Sequence, residues 1–118
     1  MTGDDPEAAR IQRRLEDLVA FGADAAYTVG LGIEAYLADG PHGRILRNSG
    51  RHILIQVATV AEKLPAEFKD AHPSVDWVAL TRMRNLIARH YDKVHDRLVF
   101  SALERRVPAL LAALGVVP

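Results

Sequence analysis

The sequence predicts an all-α fold, an antiparallel bundle of four main helices with short helices between them. Two observations carry that expectation. Apolar residues recur at alternating steps of four and three over long stretches, which is the spacing of one face of a helix, whereas strand-type alternation is always short. Hydrophobic residues also make up 49% of the 118 residues, with no repeats and no low-complexity segments, so there is enough apolar material for a core. A chain of this length folds as one domain and buries roughly 65% of its unfolded surface without needing staples. We expect a single domain over 1–118, with tails at 1–7 and 115–118.

The first main helix starts at Pro6, behind Asp5, because proline suits the first helical turn. Ile11, Leu15, Leu18, Gly22, Ala25 and Val29 form its stripe, and Arg10, Arg13, Arg14, Glu16 and Asp17 fall mostly off it. Gly30-Leu31-Gly32 ends or bends this helix. A short helix over Ile33–Ala38 follows, then a turn at Asp39–Gly43. The second main helix carries Leu46, Gly50, Ile53, Val57, Val60 and Leu64. Its Ile53–Val60 stretch is rich in β-branched residues, as strands are, but the stripe persists well beyond typical strand length. Gly50 leaves room for another backbone to approach, and Pro65 stops the helix. One helical turn is expected at Glu67–Ala71. Ser74 or Asp76 caps a third main helix from about Asp76 to Tyr91. The last helical region spans about Asp96–Leu114, with Asp96 as its cap and Pro108 kinking or restarting it. Trp77, Leu80 and Ile87 share a face and are assigned to the core or to an interface between copies. Tyr27 and Tyr36 are assigned to packing.

Composition excludes several functions. Without cysteine there is no disulfide framework, thiolate zinc site or cysteine nucleophile. His42, His52 and His72 lack metal-ligand spacing, so no metal and no cofactor is expected. No apolar run approaches the ~20 residues of a membrane span, and the acidic start Met1–Glu7 lacks the apolar core of a signal peptide. These features point to the cytoplasm, away from membranes. The formal net charge of zero conceals a gradient. Residues 1–39 carry three basic and eight acidic side chains, residues 40–79 five and four, and residues 80–118 seven and three.

The basic end concentrates between Arg82 and Arg97, where five basic residues, two acids and two histidines fall together. Arginine forks onto a phosphate with two parallel hydrogen bonds, and histidine exchanges protons near neutral pH. Metal-free cleavage of RNA needs both. A base takes the 2′-hydroxyl proton, a cation stabilises the phosphorane and an acid protonates the leaving oxygen. The alternative for this segment is a solvated helix face with incidental histidines. Arg44, Arg47 and Arg51, at i, i+3 and i+7, either extend an RNA-binding face, form a solvated one, or serve a protein contact. An aromatic content of 6% is low for binding by base stacking.

The run Arg84-Asn85-Leu86-Ile87-Ala88-Arg89-His90-Tyr91 resembles the signature of the HepT-like family, in the HEPN superfamily of helical ribonucleases. Further landmarks arrive in order over roughly residues 8–111. Val60-Ala61-Glu62-Lys63-Leu64 is similar to the family's Ile-Gly-Glu-Ala segment, and Pro73-Ser74-Val75-Asp76-Trp77 to its Pro-x-Ile-x-Trp lead-in. Tyr91-Asp92-Lys93-Val94-His95, with Leu98-Val99-Phe100 after it, is similar to its ending. The resemblance implies a HEPN-like bundle that dimerises and cleaves RNA without a metal in a cleft at the dimer interface. It implies the toxin of a type VII-like toxin–antitoxin system, whose partner is a minimal nucleotidyltransferase antitoxin that transfers AMP to the motif tyrosine. On this chain it implies Arg84 as the phosphate-contacting arginine, Asn85 as its support, His90 as the catalytic histidine and Tyr91 as the adenylylated tyrosine. Arg82, Arg89 and Lys93 would contact RNA, and Glu62 would either pair with a motif arginine or stand exposed.

One departure matters. The family pattern is Arg, four residues, His, one residue, Tyr, whereas here Arg89 and His90 stand in exchanged order. One residue rotates a side chain by about 100° around a helix. In an unbroken helix, Arg84 and Tyr91 lie within about 20° of each other, Arg89 lies near Arg82, and His90 lies above Met83 on the apolar side. His90 then reaches the cleft if the helix loosens over Ala88–Tyr91, or Arg89 takes the position and leaves binding with weak catalysis. The further alternative is a catalytically inactive HEPN module that binds RNA or the nucleotidyltransferase.

Overall fold

The computed structural model describes residues 5–90 and 95–117. Every regular element among them is helical. In chain order these are α1 (Pro6–Gly30), α2 (Ile33–Leu37), α3 (Pro41–Glu62), α4 (Ala66–Asp70), α5 (Trp77–Arg89), α6 (Asp96–Ser101), a π-helical turn (Ala102–Arg106) and α7 (Val107–Ala113).

The start of α1 is fixed locally. The Asp5 carboxylate accepts hydrogen bonds from the backbone N–H groups of Glu7 and Ala8 at 2.9 and 3.3 Å, satisfying donors that no helical carbonyl can reach. Leu18, Gly22 and Ala25 of the expected stripe are buried. Tyr27 departs from expectation. It is 72% exposed, because it lies about 160° round the helix from the buried Ala25.

The turn into α3 is tighter than the sequence indicates. Gly40, at φ 92°, takes the reversal, and Pro41 already opens the helix. His42 and Gly43 are therefore helical. Gly43 packs against the carbonyl of Ala38, whose oxygen leaves no room for a Cβ. Helix α3 is the central element and packs against α1, α2, α5 and α6. Its β-branched stretch is helical because burial of Ile53, Leu54, Val57 and Val60 contributes about 1.5–3 kcal/mol per side chain, far above the tenths that helix propensity withholds. Gly50 is filled by a side chain and not by a backbone. The fully buried Tyr36 ring lies over it, its hydroxyl oxygen where a Cβ would need room, and the ring also packs against Phe100, centroids 5.2 Å apart.

Of the two predicted caps it is Asp76 that opens α5, accepting from the Ala79 N–H at 2.9 Å. The Trp77 indole N–H holds the preceding connection by donating to the carbonyls of Lys69 and His72, at 3.2 and 3.3 Å. Asp96 does not cap α6. His95 takes that position without a side-chain capping bond, and the Asp96 carboxylate is engaged by arginines of α3. Pro108 falls in the first turn of α7, so the last helical region restarts there as the sequence predicts. The turn before it is widened, the Val107 N–H bonding to Ala102 five residues back, which accommodates a ring that lacks an N–H and would clash with the Glu104 carbonyl. Gly115, at φ 72°, closes α7. Its N–H reaches the Ala112 carbonyl and that of Val116 reaches Leu111, a Schellman arrangement.

Candidate functional site

Helix α5 presents three faces. Ile87 is its buried residue, flanked by the half-buried Leu80, Met83 and Arg84. Arg84 thus lies at the edge of the seam with α3, its side chain 23% exposed. There it forms an ion pair with Glu62 at the end of α3, through Nη1 and Oε2, which settles Glu62 as a partner of the motif arginine. Its Nε and Nη2 donate to Asn85 Oδ1 at 3.4 and 3.2 Å.

Arg82 and Arg89 occupy a different face. They lie within about 20° of each other and about 140–160° from Arg84, and both are exposed. The three arginines of α5 therefore do not converge within one copy.

The third face is apolar. A cavity of about 460 Å³ opens between α5 and the α6–π-turn segment, with Met83, Ile87 and Val99 in its wall and Arg82, His95 and Arg106 supplying polar groups. Leu86 and Leu98 line it while remaining 58% and 68% exposed. Ala79, Met83 and Leu86 face this groove, and position 90 continues their spacing.

The α-helix ends at Arg89, short of the expected Tyr91. His90 is its C-cap at φ −123° and ψ 40°, outside helical values, although its N–H still bonds the Leu86 carbonyl at 3.0 Å. His90 is exposed. His90 thus keeps the helical hydrogen bond, and its own dihedrals are the first to leave the helix. Tyr91 and Lys93 lie outside the described residues.

The arginines of α3 have structural uses that sequence spacing does not reveal. Arg47 donates through Nη1 to the carbonyls of Tyr36 and Ala38, at 3.1 and 2.8 Å, satisfying the C-terminal end of α2. Arg51 Nη2 donates to Asp96 Oδ1 at 2.5 Å, and Arg47 Nε lies 4.0 Å from the same carboxylate. Both are committed to protein groups. Of the three arginines considered for an RNA face, Arg44 is the exposed one. The His72 ring stacks on Phe68, centroids 4.3 Å apart. Among the described residues no three His, Asp or Glu side chains are grouped to hold a metal ion.

Residues 27–117 match the family model described as Ribonuclease HepT-like. The chain belongs to the HepT-like ribonuclease family. Its all-α bundle is accordingly HEPN-like, and the matched region contains Arg84, Asn85 and His90. No curated protein and no solved structure matches the chain. Among the described residues of this HepT-like chain, no helix is long and apolar enough to cross a membrane. Two features escaped the sequence reading, the Arg51–Asp96 tie and the apolar groove. The groove had a signal, since Leu86 stands on a helix between arginines and off the stripe containing Ile87.

Proposed function

We propose that this HepT-like chain is the toxin of a type VII-like toxin–antitoxin system. In this reading it is a cytoplasmic, metal-independent endoribonuclease that works as a homodimer. It is silenced when a minimal nucleotidyltransferase antitoxin transfers AMP to Tyr91. The match over residues 27–117, with Arg84, Asn85 and His90 inside it, carries the ribonuclease reading. Arg84 binds the scissile phosphate and Asn85 supports it. His90 moves the proton between the 2′-hydroxyl and the leaving 5′-oxygen. The 2′-oxygen bonds to phosphorus and the P–O5′ bond breaks, leaving a 2′,3′-cyclic phosphate and a 5′-hydroxyl. Arg82, Arg89 and Lys93 contact flanking phosphates.

Dimerisation is supported by the disposition of α5. Along an ideal helix, position 90 is about 9 Å from position 84 and about 120° round from it. Within one copy the two face different ways. A second copy seated on the groove lined by Leu86 and Leu98 covers that apolar surface and brings the His90-bearing edges of two α5 helices together. The same separation favours the second reading, an inactive module that binds RNA or its nucleotidyltransferase partner.

Single-turnover cleavage of labelled RNA in the presence of a metal chelator separates the two. The expected result is cleavage by the wild-type chain and a loss of about 100-fold or more in His90→Ala. Equal cleavage by both removes His90 from the mechanism, and abolition by the chelator overturns metal independence. Intact mass after co-expression with the nucleotidyltransferase tests silencing, with AMP increments expected and absent in Tyr91→Phe.

A further inference from the structure

A guanidinium carries five N–H donors in one plane. In Arg84 the Nε donor and one donor of Nη2 are directed at Asn85 Oδ1, and one donor of Nη1 is directed at Glu62 Oε2. One N–H on each terminal nitrogen is left over. Free donors on both terminal nitrogens can reach the oxygens of a phosphodiester. The brackets come from different places. Asn85 is the next residue on α5, whereas Glu62 is at the end of α3, 22 residues away in sequence. Glu62 thus sets the guanidinium against the body of the fold, which its own helix cannot do for a long, flexible side chain.

We propose that Glu62 is a positioning residue for RNA binding: it holds the Arg84 guanidinium by Nη1 so that one free donor on each terminal nitrogen is presented to a phosphodiester. This rests on the reading of Arg84 as the phosphate-binding residue. Glu62 acts through Arg84 and does not touch RNA. The opposite use of the same contact is electrostatic masking, in which the carboxylate competes with phosphate for the guanidinium. The two uses move RNA affinity in opposite directions. Positioning is favoured because Arg84 lies at the α3–α5 seam, its side chain 23% exposed, with both Asn85 and Glu62 on its guanidinium and a donor left over on each terminal nitrogen.

A double-mutant cycle on the full chain tests the proposal. It uses Glu62→Ala, Arg84→Ala and the double variant, with affinity for a fluorophore-labelled single-stranded RNA read by anisotropy. Glu62→Ala is expected to weaken binding about tenfold in the wild-type background and to change it less than twofold in the Arg84→Ala background. Glu62→Gln, which keeps an acceptor at the same place, is expected to recover part of the loss. The melting temperature is expected to stay within a few degrees of wild type for Glu62→Ala, since the Glu62 side chain is 45% exposed. Unchanged or tighter binding by Glu62→Ala overturns the proposal in favour of no role or masking. A loss that adds fully to that of Arg84→Ala overturns it as well, because the effect would not pass through Arg84. Full RNA affinity in Arg84→Ala strikes instead at the reading of Arg84, and is recognised by that single variant alone.

Discussion

Helices α3 and α5 carry three arginines each, and the two helices use them differently. On α3, Arg47 and Arg51 turn toward the protein, where they meet carbonyls at the end of α2 and the Asp96 carboxylate of α6. On α5, Arg82 and Arg89 are exposed and Arg84 sits at the seam in the grip of Glu62 and Asn85. The surroundings decide this. Helix α3 is packed on several sides and buries eight residues, so Arg47 and Arg51 lie across neighbouring helix ends, while Arg44 stays exposed. Helix α5 packs chiefly against α3 and buries only Ile87 among its described residues, which leaves most of its circumference for other partners. The lesson is that a basic helix face marks a nucleic-acid site only after the carbonyls and carboxylates of the fold have taken their share.

The contrast is tested first where the largest effect is expected. Leu54→Ala, at a position 1% exposed on α3, is expected to destabilise the chain by about 2–5 kcal/mol in urea unfolding, whereas Leu86→Ala on α5 is expected to cost less than about 0.5 kcal/mol at concentrations where the chain is monomeric. Comparable losses would mean that α5 is as integral to the core as α3. Gly50→Ala follows, at about 1–3 kcal/mol, because its methyl group meets the buried Tyr36 ring. Next come the arginines themselves. Arg51→Ala is expected to lower stability by about 1–2 kcal/mol by leaving Asp96 with a weaker partner, while Arg82→Ala and Arg89→Ala leave the melting curve unchanged. The RNA readout should be reversed for Arg82→Ala and Arg89→Ala, each reducing the slope of log affinity against log salt by about one. An unchanged slope in both would remove the outer face of α5 from RNA binding. The smallest structural change is expected from Leu98→Asp, which leaves the monomer folded but shifts sedimentation toward monomer if the groove holds a second copy.

Much of this was legible in the chain because it is local. The four-and-three spacing found α1 and α3, Asp5 and Asp76 cap the helices they precede, and Pro65 stops α3. The motif around Arg84 and His90 was readable as a pattern of residue types. Misreadings arose where two local signals compete. Asp96 is a good capping residue by type, but two arginines of α3 attract its carboxylate. Tyr27 has a packing side chain by type but lies on the wrong side of α1.

The sequence alone determined the all-α class, the order of the helices and the family to which the motif belongs, since periodicity, caps and stops act over a few residues of one helix. Only the tertiary structure decided which cations remain exposed, which carboxylate holds Arg84, and that Leu86 and Leu98 flank one groove. Those outcomes depend on pairs such as Arg51 with Asp96, 45 residues apart, and Glu62 with Arg84, 22 apart. Contacts at that range are set by how helices pack, and no single helix specifies them.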